Sequence, residues 1–159
     1  MLLKVEHDTK AGFEALVAAQ DIPSGTLLGS ISGEKIVAES QYNTVHIGEY
    51  QHLVLNDELV YTNHCCRVPN ARFVFTTQPW TFVALKDIRA GEWVTYDYAT
   101  TEYVSGRSFE CTCAAATQGQ CRGRFDGFKG LSTNEKKEMI DGGKISPVVL
   151  KLHKDEKMN

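Results

Sequence analysis

Leu16-Val17-Ala18-Ala19-Gln20-Asp21-Ile22-Pro23-Ser24-Gly25-Thr26-Leu27-Leu28 returns in altered form as Phe82-Val83-Ala84-Leu85-Lys86-Asp87-Ile88-Arg89-Ala90-Gly91-Glu92-Trp93-Val94. In each copy an apolar run leads into Asp-Ile-x-x-Gly and a second apolar run leaves it. The pattern predicts strand, turn, strand, and hence two similar β-hairpins within one compact fold. Two copies do not make a solenoid, which needs about three units or more.

Outward from these copies, residues 33–37, 43–47, 52–55 and 71–76 are short runs rich in β-branched or aromatic residues, bounded by Gly, Asn or Asp. They predict further strands. Helical signals come late. Ser132-Thr133-Asn134-Glu135-Lys136-Lys137-Glu138-Met139-Ile140 carries a cap residue and following acids, with Gly142-Gly143 as a stop, and predicts one short helix. Beyond it, residues 145–150 pack back on the body and residues 153–159 fray. The expected class is β-rich α+β.

The chain has 159 residues, 42% hydrophobic and 23% charged. That suits one domain with a sizeable core and excludes collagen, coiled coil and disorder. No apolar run approaches the roughly 18 residues that span a bilayer, and charges appear too early for a signal peptide. A cytoplasmic or nuclear protein without membrane association is expected. The net charge is −3 and no basic stripe with interleaved aromatics occurs, so nucleic acid is not expected as a partner.

Five cysteines, Cys65, Cys66, Cys111, Cys113 and Cys121, make an odd number in a chain without a secretion signal. This argues against a disulfide framework. Cys111-x-Cys113-x7-Cys121 with the Cys65-Cys66 pair offers four thiolates to one tetrahedral Zn2+, one of the adjacent pair being spare. Buried free thiols are the other reading that spacing allows.

Asn63 to Asn70, Gly91 to Tyr98 and Cys111 to Gly123 form three ordered motifs, and together they resemble those of SET-domain methyltransferases. Asn63-His64-Cys65-Cys66-Arg67-Val68-Pro69-Asn70 is similar to N-H-S-C-x-P-N. Gly91-Glu92-Trp93-Val94-Thr95-Tyr96-Asp97-Tyr98 is similar to G-E-E-L-T-Y-D-Y. Cys111-x-Cys113-x7-Cys121-Arg122-Gly123 resembles the post-SET element C-x-C-x4-C-R-G. Ser32-Gly33-Glu34-Lys35-Ile36 also resembles the family's G-E-x-I, and the resemblance covers roughly residues 10 to 130. Tyr42 to Gly48, Tyr61-Thr62-Asn63-His64 and Thr101-Glu102 look like the compact stand-alone members from fungi and bacteria.

The resemblance implies a β-clip fold of small curled sheets with a pseudoknot at the Asn-His segment. It divides the chain into a SET domain at 1–105, a post-SET zinc element at 106–130, and a short helix with C-terminal tail at 131–159. It implies Cys66, Cys111, Cys113 and Cys121 as structural Zn2+ ligands, with Cys65 standing where the family has Ser. It implies S-adenosylmethionine as cofactor, bound by Gly12, Phe13, Glu14, Asn63, His64 and Tyr98, with Phe125 placed where the family often sets an apolar residue over the cofactor. Tyr98 matches the active-site tyrosine, against the plainer reading of a core strand tyrosine. Tyr96 matches the position that sets how many methyls are added, against that of a packed aromatic.

The expected activity is methyl transfer to a lysine amine, whose free pKa of about 10.4 falls on desolvation. Weak C–H···O contacts would hold the methyl group. Departures accompany the resemblance: Glu14 or Ala15 stands where a second glycine is expected, Pro69 comes one residue late, and the spacer before Cys121 is longer. The segment between Glu34 and Asn63, which helps bind peptide in the family, is short, and neither a pre-SET cluster nor a reader domain is expected. A small-molecule amine as acceptor, or a binding module that has lost catalysis, therefore stand beside the protein-lysine reading.

Overall fold

The computed structural model describes residues 1–10 and 12–159; Ala11, within the expected cofactor loop, lies outside the described residues. The chain runs through β1 (Leu3–Asp8), β2 (Phe13–Ala18), β3 (Leu27–Ser30), β4 (Lys35–Val37), β5 (Thr44–Gly48) and β6 (Gln51–Val54). It continues through β7 (Asn63–His64), β8 (Ala71–Val74), β9 (Thr81–Ala84), β10 (Thr95–Tyr96), β11 (Phe109–Glu110) and β12 (Arg124–Phe125). Two helices, α1 (Thr133–Asp141) and α2 (Pro147–Met158), close it. The fold is β-rich, as expected.

Two compact units alternate along the sequence. The first comprises Met1–Ser32, Asn56–Asp97 and Cys113–Cys121. Here β1 and β2 pair antiparallel from Leu3↔Ala18 to Asp8↔Phe13, β9 lies between β3 and β8, and β7 pairs parallel with β10. The two sequence copies do not close on themselves as hairpins. They pair with each other: Leu27 with Val83, Ile22 with Ile88 and Val17 with Trp93. Each Asp-Ile-x-x-Gly segment carries its chain past its own first strand, so the backbone groups find partners in the other copy. Ile22 and Ile88 exchange both amide–carbonyl bonds at 2.8 Å. Leu3, Leu16, Val17, Ile22, Phe82, Ile88 and Val94 fill this unit's interior, all at most 1% exposed.

The second unit comprises Gly33–Leu55, Tyr98–Thr112 and Arg122–Asn159. It holds the sheet β4-β6-β5, the short β11–β12 ladder and both helices. Ala99, Tyr103, Phe125, Phe128, Met139, Ile145 and Val149 form its core. Ser132 caps α1 by accepting the Glu135 amide at 3.2 Å, and Arg122 holds Glu135 at 2.8 Å. The tail expected to fray is instead α2. Ser146 accepts the Val149 amide at 3.2 Å, and Pro147 occupies the first turn, where its missing N–H has no cost. His153, at 7% exposure, anchors α2 edge-on against Phe128, 5.4 Å away.

Candidate functional site

The sulfur atoms of Cys66, Cys111, Cys113 and Cys121 lie within 4.8 Å of one another. A tetrahedral thiolate site has Zn–S distances of about 2.3 Å, which puts sulfurs about 3.8 Å apart, so the group fits Zn2+. The local backbone explains the convergence. Cys111 donates its amide to the Gly123 carbonyl at 3.0 Å, beside the β11–β12 ladder. After Cys113 the chain makes a 3-10 turn over Ala114–Gln118. Gly119, at φ +65°, reverses it, and the Gln120 amide returns to the Ala115 carbonyl at 2.9 Å. That turn absorbs the long spacer. The Cys66 amide points at the Cys113 sulfur, 3.3 Å away. Cys65 is outside the group; burial first, and the neighbouring Cys113 second, push its thiol up to about 11.

Asn63 and His64 enter the first unit on β7, paired in parallel with Thr95 and Tyr96. Asn63 Nδ2 donates to the Glu14 carbonyl at 3.0 Å, so the Asn-His segment and the Gly12–Glu14 segment are brought together. Gly12 adopts φ +70°, a left-handed conformation that side chains rarely take, and its amide closes a turn on the Asp8 carbonyl at 2.8 Å. Phe13 packs on Trp93 with the rings tilted at 58° and their centroids 4.9 Å apart, both exposed. The His64 ring is buried with Nε2 3.2 Å from the Cys66 sulfur and Nδ1 3.9 Å from Asp97 Oδ1. With Cys66 as a thiolate, Nε2–H donates to it, the arrangement by which outer groups orient metal ligands. Tyr96 sits at 8% exposure, edge-on to Phe73 at 5.0 Å and Phe82 at 6.0 Å.

In the second unit Tyr98 opens the 3-10 turn Tyr98–Thr100, edge-on to Phe125 at 5.9 Å and Phe109 at 6.4 Å. Phe125 is 1% exposed, so most of its ring surface is spent on this packing. Burial, and after it the charge of Glu102, raise the Tyr98 hydroxyl well above the ordinary phenol range. It stays protonated and neutral at any physiological pH. Glu102 carries no role in the sequence reading. The only signal was a carboxylate four residues after Tyr98, within an uncharged run.

The SET domain family model matches residues 14–99, more than half of the chain. The chain belongs to the SET-domain family. Among curated proteins it is similar to Methyltransferase flvH of Aspergillus flavus, with 26% identity over 124 residues. That match covers 78% of this chain and 66% of the relative's length. Among the described residues, no helix is long and apolar enough to cross a membrane.

Proposed function

We propose that this protein is a methyltransferase that moves the methyl group of S-adenosylmethionine to an amine nitrogen, that of a protein lysine first. Membership in the SET-domain family carries this reading. S-Adenosylmethionine supplies an electrophilic methyl on a sulfonium. Gly12, Phe13, Glu14, Asn63 and His64 hold the cofactor, and the Asn63–Glu14 hydrogen bond supports the pairing of these two segments. Tyr98 offers a neutral hydroxyl oxygen toward the electron-poor methyl group, and Phe125 shields it from water. Tyr96 limits how many methyls the amine receives. Cys66, Cys111, Cys113 and Cys121 hold one structural Zn2+.

A small-molecule amine is the second reading. The shortness of the segment between Glu34 and Asn63 favours it, because all three of that segment's strands are used in one small sheet, β4-β6-β5. Two measurements test the proposal. Calorimetry with S-adenosylhomocysteine reads cofactor binding. Transfer of labelled methyl from S-adenosylmethionine, offered to lysine peptides and to cell-extract metabolites, reads the acceptor. Cofactor binding with label on either class is expected; no binding of the cofactor product overturns the reading.

A further inference from the structure

Glu102 is a carboxylate that the fold holds firmly and leaves half used. Its amide donates to the Tyr98 carbonyl at 2.9 Å and its carbonyl accepts from the Phe128 amide at 2.8 Å, so its backbone is pinned on both sides. The side chain is buried at 9% exposure and accepts the His46 backbone N–H. Among the described residues its Oε2 has no hydrogen-bond partner and no cation pairs with it. The neighbouring ring groups do not supply one. His46 stacks on His52 with centroids 4.2 Å apart, and burial disfavours the charged form of both imidazoles, pushing His46 down and His52 down to about 4.

A buried carboxyl with an empty acceptor is costly to retain, and such groups cluster where a ligand completes them. The group that completes this one must bring a donor and, toward an ionised carboxylate, a positive charge. An ammonium does both. Tyr98 shares the carboxylate's field, since the Glu102 charge helps to raise its hydroxyl.

We propose that Glu102 is the proton acceptor for the amine substrate, a role that rests on the methyltransferase reading above. As the ammonium arrives the carboxyl gives its own proton to water; an N–H bond of the ammonium then breaks and an O–H bond forms at Oε2. The nitrogen keeps the electron pair and becomes the neutral nucleophile that methyl transfer requires. In a poorly solvated site the neutral acid–amine pair is favoured over the ion pair. The methylated product leaves as an ammonium and Glu102 keeps its proton, so each turnover releases one proton to water, at amine binding. Burial pushes the Glu102 carboxyl up to about 8, so it takes a proton far more readily than an ordinary glutamate. Protein lysine and a free alkylamine present the same ammonium.

Calorimetry at neutral pH in two buffers of different ionisation heat counts the protons released on binding. The protein is first loaded with S-adenosylhomocysteine, and the probes are n-butylamine, a single-lysine peptide, and n-butanol as neutral control. Free Glu102 and the free amine are then both mostly protonated, while the complex shares one proton, so binding releases about one proton per amine. The expected result is that release with n-butylamine or the peptide and none with n-butanol. Glu102→Gln should bind the amine at least roughly tenfold more weakly and release none. Release with the peptide alone identifies protein lysine as the source. Amine binding without proton release, no amine binding to the loaded wild type, or unchanged binding by Glu102→Gln overturns the inference. Should Glu102→Gln fail to fold, the wild-type proton count decides alone. Failure to bind S-adenosylhomocysteine overturns the methyltransferase reading itself, and the inference with it.

Discussion

Asp21 and Asp87 cap each other's turns. Asp21 Oδ1 accepts the Ala90 amide at 2.9 Å, and Asp87 Oδ1 accepts the Ser24 amide at 2.8 Å. The two aspartates hold equivalent places in the two sequence copies, and each reaches the residue three beyond its counterpart. The exchange fastens one copy to the other across more than sixty residues of chain. Asp21→Ala and Asp87→Ala should each lose about 1 kcal/mol in urea unfolding, the usual worth of one such bond. Equal stability to wild type would show that the pairing of Ile22 with Ile88 suffices without the caps.

The cysteine group makes a metal prediction. Elemental analysis should give about one zinc per chain, and Cys66→Ser should lose it, whereas Cys65→Ser keeps it because Cys65 lies outside the group. Chelation should also speed hydrogen exchange from residue 106 to residue 130, since metal binding and local folding are coupled. Zinc retained by Cys66→Ser at full stoichiometry would contradict the ligand set.

Cofactor affinity should depend on the Asn63 side chain and on the Gly12 turn. Asn63→Ala removes the bond to the Glu14 carbonyl and should weaken S-adenosylhomocysteine binding strongly in calorimetry. Gly12→Ala meets open space, so only its left-handed backbone resists, at a cost of about 1 kcal/mol. If the turn shapes the cofactor site, that strain appears as lost affinity as well as lost stability.

How much of this was legible in the sequence follows from the range of the forces involved. Motif residues and short strands are local, so the Asn63-His64 segment, the Tyr96-Asp97-Tyr98 segment and the Ser132 cap could be read from neighbours along the chain, while the choice of Cys66 over Cys65 for the cysteine set came from the family resemblance. The mutual pairing of the two copies could not, because Ile22 finds Ile88 only through the tertiary fold. The α2 helix was hidden by Gly142-Gly143, which ends one helix, although Ser146-Pro147 starts another four residues later. Glu102 was illegible for the same reason as Ile22: its burial and its one hydrogen bond depend on β5, more than fifty residues upstream.

Tyr98→Phe separates catalysis from packing. The substitution keeps the ring against Phe125 and Phe109 and removes only the hydroxyl. A packing role limits the change to about 0.5–1.5 kcal/mol of stability. A role at the methyl group lowers turnover by at least roughly tenfold, or about 1.4 kcal/mol of barrier, with melting temperature and cofactor binding nearly unchanged. Turnover equal to wild type on whichever acceptor works would remove Tyr98 from the reaction.

Glu102 also ties activity to stability through pH. Its folded carboxyl is raised to about 8 from the usual 4.5, so between these values the unfolded chain has released a proton that the folded chain still holds. Stability is therefore lost as pH rises across that window. His52 works in the opposite direction: lowered to about 4 from 6.5, it makes stability fall as pH drops below 6.5. Above 6.5 the histidine contribution is complete and only the Glu102 slope remains. Between pH 6.5 and 8 wild type should lose about 2 kcal/mol relative to Glu102→Gln, at the usual 1.4 kcal/mol per pH unit per proton. The difference between the two proteins isolates this group, because every other titration is common to both. Glu102→Gln should thus be the more stable protein at pH 8 and the poorer enzyme. That combination marks a carboxylate kept for chemistry rather than for the fold. Parallel stability curves for the two proteins across this range would mean that Glu102 titrates as an ordinary surface acid.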